Sequence, residues 1–109
     1  MTIVDWQGAG IGPASFDIAY LLSHSLTIDD RREHEGRLLD QYQANLAAAG
    51  TVTSREELLA GYHASMHYGL AIACAMPLIA DTSQPRVRQL ATAMATRSIA
   101  ALDDAGLLW

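Results

Sequence analysis

Lysine is missing altogether from these 109 residues, and all seven cations are arginines. That absence excludes a phosphate-binding P-loop, whose Gly-Lys-Ser/Thr ending needs an amine to reach the phosphates. Seven cations against twelve acids leave a net charge of −5, so the basic face that a nucleic-acid-binding surface needs is lacking too. Cysteine occurs once, as Cys74. No intrachain disulfide can form, and a lone thiol suits a reducing cytoplasm. The longest apolar run, near residues 69–80, is too short to span a bilayer as a helix. The first residues have no basic flank and soon meet an acid, Asp5, which does not fit a secretory leader. The expectation is a cytoplasmic protein with neither nucleic acid nor membrane as a partner.

What is present favours helices. Half of the residues are hydrophobic, with alanine and leucine leading, both good helix formers. The length suits one domain, 1–109, able to bury ~65% of its unfolded surface. Ile3-Val4 reads as a short strand, and Gly8, Gly10, Gly12 and Pro13 make the following segment a loop. Residues 1–14 therefore form a strand and loop, and 15–109 a helical subdomain. The first helix is expected from a Ser15 cap to Ser25, with Ile18, Leu21 and Leu22 inward. Thr27, with Asp30 three residues on, caps the second. That helix carries Leu38, Leu39, Tyr42 and Leu46 and stops at Gly50. Thr53 or Ser54, followed by Glu56 and Glu57, opens the third, with a stripe of Leu59, Tyr62, Met66, Leu70 and Ala73, and Pro77 ends or kinks it. Ser83 and Pro85 open the fourth, with Val87, Leu90, Met94 and Leu102 inward, and Gly106 closes it. The fold class is mainly α: four helices after a short N-terminal strand and loop.

Several patterns could carry chemistry. The glycines start like a dinucleotide-binding loop, but Pro13 stands where its third glycine belongs, and no second strand follows to complete a βαβ unit. His63, His67 and Cys74 fall within about 40° on one face of the third helix, from 3.6 residues per turn. Such a pair of histidines can bind zinc, yet a fourth ligand and supporting shell are lacking, so polar residues beside the core stripe are expected. Ser23-His24-Ser25 sets hydroxyls beside an imidazole, but neighbours on a helix point in different directions. The run Asp29 to Glu35, "DDRREHE", reads as a solvated mixed-charge face whose first acids suit a helix N-terminus. Asp5 ends a strand and precedes an aromatic residue. Mg²⁺ needs only one or two carboxylates when phosphates and water fill its other positions.

The order of short words says more than any one of them: "IVDWQ", a glycine-rich loop, "GPASFDIAYLL", then "RREHEGRLLDQYQANLAAAG". It resembles the C-terminal part of the aminoglycoside phosphotransferase family, especially its choline-kinase-like and ecdysteroid-kinase-like members, closely over residues 3–62 and more loosely to the end. The resemblance implies the C-lobe subdomain of a protein-kinase-like fold. It implies that Asp5 takes the place of the magnesium-binding Asp of the kinase DFG motif, with Trp6 and Gln7 in place of its Phe and Gly. It implies that Asp17 is the helix-start acid whose carboxylate accepts hydrogen bonds from the catalytic loop and orients it. ATP, Mg²⁺ and a small hydroxyl-bearing acceptor are implied by the same resemblance.

Only four residues precede Asp5, so the His-x-Asp catalytic loop and the lysine-bearing nucleotide lobe are not among these residues. The expectation is a C-terminal portion of a small-molecule kinase that binds neither ATP nor Mg²⁺ tightly alone and does not turn over by itself. The competing expectation is a non-enzymatic helical module that kept the scaffold. A homodimer is expected in either case, through the face near Trp6, Ile11 and Phe16 or through Leu107-Leu108-Trp109, because a short apolar chain cannot easily cover such surface itself.

Overall fold

The structure is a computed structural model and describes Thr2 and residues 9–108. The strand expected at Ile3-Val4 lies outside the described residues. The rest is mainly α, with four helices: α1 (Ser15–Ser25), α2 (Ile28–Ala48), α3 (Arg55–Ile79) and α4 (Pro85–Asp104). Among the described residues there is no strand.

Local chemistry sets most boundaries. Thr27 accepts a hydrogen bond from the Asp30 backbone N–H at 3.1 Å, and its hydroxyl donates to the Asp30 carboxylate at 2.7 Å. Ser54 and Glu57 form a full capping box, each side chain accepting the other's backbone N–H, at 3.1 and 2.9 Å. The backbone bond from Ser54 is the main reason the Glu57 carboxyl sits below its ordinary value. Gly50 and Gly106 adopt φ of 92° and 69°. The next residue of each donates back into the helix, Thr51 to Leu46 O and Leu107 to Leu102 O, both at 2.8 Å. A side chain would strain that left-handed turn, so glycine closes both helices.

Three expected boundaries differ. Ser15 is the first helical residue, not the cap. Ala14 stands before it without a capping side chain, because Ser15 is buried against α3. Pro77 does not end α3, which runs on to Ile79. At α4 Pro85 is the first helical residue behind Gln84, as its fixed φ favours. Ser83 instead donates from both its N–H and its hydroxyl to Asp81, fixing the α3–α4 turn.

α1, α3 and α4 pack on one another, while α2 touches α1 and α4 more lightly. The core joins Ala19 and Leu22 of α1, Leu39 of α2, Tyr62 and Met66 of α3, and Ala101 and Leu102 of α4. Each large member contributes about 2 kcal/mol by leaving water. Small residues bring the axes together. A methyl on Gly61 would run into the Ser15 hydroxyl, and one on Gly69 would press on the His24 ring. The expected stripes hold for Leu22, Leu39, Tyr62, Met66, Ala73, Met94 and Leu102, all buried. They fail for Leu21 and Leu90, each 52% exposed, and Leu58 is buried more deeply than Leu59. Among the described residues no helix is long and apolar enough to cross a membrane.

Candidate functional site

Asp5, Trp6 and Gln7 lie outside the described residues, so the site is built from the loop and helices C-terminal to them. Residues 9–14 lead into α1, and with Phe16, Asp17 and Tyr68 of α3 they line an open cleft of about 610 Å³. Phe16 and Tyr68 meet edge to face at 5.2 Å between ring centres, an arrangement that suits the ring quadrupoles. Asp17 stands exposed in the first turn of α1, where the helix dipole favours a negative charge. It accepts no side-chain hydrogen bond among the described residues. The loop behind it is fastened from α2, where the Tyr42 hydroxyl donates to the Ala14 carbonyl. Burial first, and then the Asp17 charge, raise the Tyr42 hydroxyl above the ordinary tyrosine value and keep it a donor. The helical spacing places Tyr42 in the core, but it is only half-buried; its ring tip does the work of holding the loop.

This cleft offers one carboxylate, Asp17, and no lysine exists to pair with phosphate. Among the described residues no three His, Cys, Asp or Glu side chains gather as metal ligands. Asp5, the expected magnesium ligand, lies outside the described residues, and Asp17 is the carboxylate that the described residues bring to this cleft.

The other sequence candidates take different places. His67 sets Nδ1 at 3.1 Å from the His63 carbonyl and Nε2 at 3.3 Å from the Leu107 carbonyl, so each ring nitrogen faces a backbone acceptor. Cys74 is exposed and free. In the Ser23-His24-Ser25 triplet, Ser23 and His24 are buried and Ser25 is exposed. The ring nitrogens of His24 and the Ser23 hydroxyl meet no hydrogen-bond partner among the described residues. Burial therefore dominates and pushes the His24 pKa below 6.5, with the Gly69 backbone opposing in part.

The charged run at the start of α2 departs most from expectation. Arg31 is 2% exposed rather than solvated. Its guanidinium pairs with Glu35 at 3.1 Å and with Asp104 of α4. Arg32 grips the same Asp104 at 2.8 and 3.1 Å. The Tyr62 hydroxyl donates to Glu35, and burial with that bond raises its pKa far above the ordinary value. Four residues around one arginine thus join α2, α3 and α4. The spacing of Arg31 and Glu35 hinted at one bond of this set; nothing local to the sequence pointed to Asp104 or Tyr62.

A family model described as "Uncharacterized oxidoreductase dhs-27" (DUF1679) matches residues 1–105. No curated protein and no solved structure matches the chain.

Proposed function

The chain belongs to the DUF1679 family, described as uncharacterized oxidoreductase dhs-27, and on that premise we propose that it is the C-terminal portion of an ATP-dependent small-molecule phosphotransferase. In this reading Asp5 is a magnesium ligand, with Trp6 and Gln7 beside it, and phosphate passes from ATP to a hydroxyl of a small substrate. The observation that carries the reading is Asp17. Its carboxylate stands exposed on the first turn of α1, on the C-terminal side of the loop after Asp5, and that loop is fastened to the helical body by Tyr42. An exposed carboxylate there supports the reading, because it is free to accept backbone N–H groups of a neighbouring loop and so orient it. The word oxidoreductase in the family's description draws no support from these residues. A dinucleotide loop would need a glycine at Pro13 and a βαβ unit, and neither is found among the described residues.

Phosphoryl transfer is catalysed by positioning and charge stabilisation, and in this reading the phosphate clamp and the base come from outside residues 1–109. We expect the 109-residue chain alone to consume no ATP above a denatured blank. Expressed together with the protein encoded directly upstream, it should show Mg²⁺-dependent ATP consumption with hydroxyl-bearing acceptors, abolished by Asp5→Asn. An upstream frame with His-x-Asp and a lysine-bearing lobe whose product consumes no ATP would sink the reading.

A second reading, a self-associating helical module, is favoured by one observation. Ile11 is fully exposed and Tyr68 is 56% exposed, beside the half-buried Phe16. Leu107 and Leu108 are instead packed on the core. Of the two dimer faces expected, the one around Ile11 and Phe16 is therefore the one we propose for a two-fold homodimer. Sedimentation of an Ile11→Asp variant at micromolar concentration tests it: an unchanged mass rules that face out.

A further inference from the structure

We propose that a second cavity, between the start of α2 and the outer face of α4, binds an elongated organic carboxylate. This groove has a volume of about 750 Å³, within the range of small-molecule pockets. It shares no residue with the cleft at Asp17, so the inference stands apart from the phosphotransferase reading. Its lining includes the apolar Ile28, Pro85 and Ala93 and two cations, Arg88 and Arg97.

Like Arg37 and Arg86, these two arginines have no carboxylate partner among the described residues, but unlike those two they are held by backbone carbonyls. Arg31, Arg32 and Arg55 are each paired with a carboxylate. Arg88 and Arg97 pair with none among the described residues. Each is held by backbone carbonyls through Nη1 alone: Arg97 by His24 O at 2.7 Å, and Arg88 by Thr82 O and Ser83 O at 2.6 and 2.9 Å. A carbonyl fixes a guanidinium without cancelling its charge. The Nε and Nη2 edge is left over, and two parallel N–H donors on one edge match the two oxygens of a carboxylate. Arg97 is half-buried and Arg88 exposed. Coulomb attraction is stronger away from water, so the head belongs at Arg97. Nine positions along α4 set the two arginines roughly 13 Å apart along the axis and about half a turn apart around it, on either side of the stripe that lines the groove, so one small anion cannot bridge them. An apolar body lying over Ala93 toward Pro85 fills that distance, flanked by the stem of Arg88. Asp29 also lines the groove and opposes the head.

Calorimetric titration of the 109-residue chain with decanoate, decanol and acetate tests this. Decanoate should bind saturably, and decanol and acetate at least about tenfold more weakly, the loss expected for one charge-assisted pair or for the apolar body. Arg97→Gln should weaken decanoate about tenfold, Arg88→Gln less, and Asp29→Asn should tighten it. Thr96→Trp, at an exposed groove position, should block it without disturbing the core. Circular dichroism checks that each variant is folded. No saturable binding of decanoate would overturn the proposal. So would equal affinity for decanol, or an Arg97→Gln variant that is folded and binds decanoate undiminished.

Discussion

Leu22, Met66 and Leu102 meet where α1, α3 and α4 cross, each at most 2% exposed. The 21-residue α2 buries two side chains fully, Leu39 and a charged Arg31. Beside Leu38, which packs at the edge of the core, its other attachments are polar: Arg31 and Arg32 on Asp104, Glu35 under the Tyr62 hydroxyl, Tyr42 on Ala14 O, and Gln43 on Thr53 O at 2.8 Å. Apolar packing is insensitive to direction and weakens gradually, whereas a buried guanidinium depends on each partner. The three-helix core and the fourth helix should therefore fail under different insults.

The largest effect is expected from the core. Leu102→Ala should cost about 3 kcal/mol, read as a lower urea midpoint with all four helices lost together. If α2 alone melted in that variant, the distinction between the regions would collapse. The next effect belongs to the latch. Asp104→Asn leaves Arg31 buried with Glu35 as its remaining acid and should cost about 2 kcal/mol. Amide exchange should rise in α2 and stay low along α1 and α3. Uniform loss of protection would mean that α2 belongs to the core after all.

Acid should separate the regions again. His24 sits in the core with its pKa lowered by burial from 6.5, so the unfolded chain takes up the proton first. Core stability is then full above that value and declines as pH falls below it. Asp104 works in a lower window. Hydrogen bonding to Arg32, and then to Arg31, holds its carboxyl down to about 2 against an ordinary 3.8. Its stabilisation is complete above the ordinary value and disappears as pH falls through the lowered one. Acid unfolding followed in wild type and in His24→Phe should show the first decline removed and the second kept. The smallest effect is local: Thr27→Ala removes the α2 cap for about 1 kcal/mol. In a thermal melt the same change at Ser54, which caps the core helix α3, should cost a similar amount but lower the whole transition.

Four helices and most of their ends were legible from periodicity and caps, because Thr27, Ser54, Gly50 and Gly106 act on groups within a few residues. The failures have tertiary causes. Ser15 is drawn under α3 instead of capping, since Gly61 leaves it room. Leu21 and Leu90 lie on the edges of their stripes, and which edge is covered depends on the angle between helices. The buried Arg31 looked like one charge among many. Its partner Asp104 is 73 residues away, and no local rule joins them. At the candidate site, Asp17 and the loop were legible from the order of words, whereas the Tyr42 tether and the Phe16–Tyr68 contact needed the fold.

The short turn between α3 and α4 has a consequence in time. With Asp81 gathering Ser83 and Gln84, those two helices are sequence neighbours that pack as soon as both exist. α1 has no such neighbour, because both helices that cover Ala19 and Leu22 come after α2 in the chain. A ribosome adds ~5–20 residues per second, so the apolar face of α1 waits seconds in water before its partners are made. The segment synthesised directly after it is the charged α2, not the helices that cover that face.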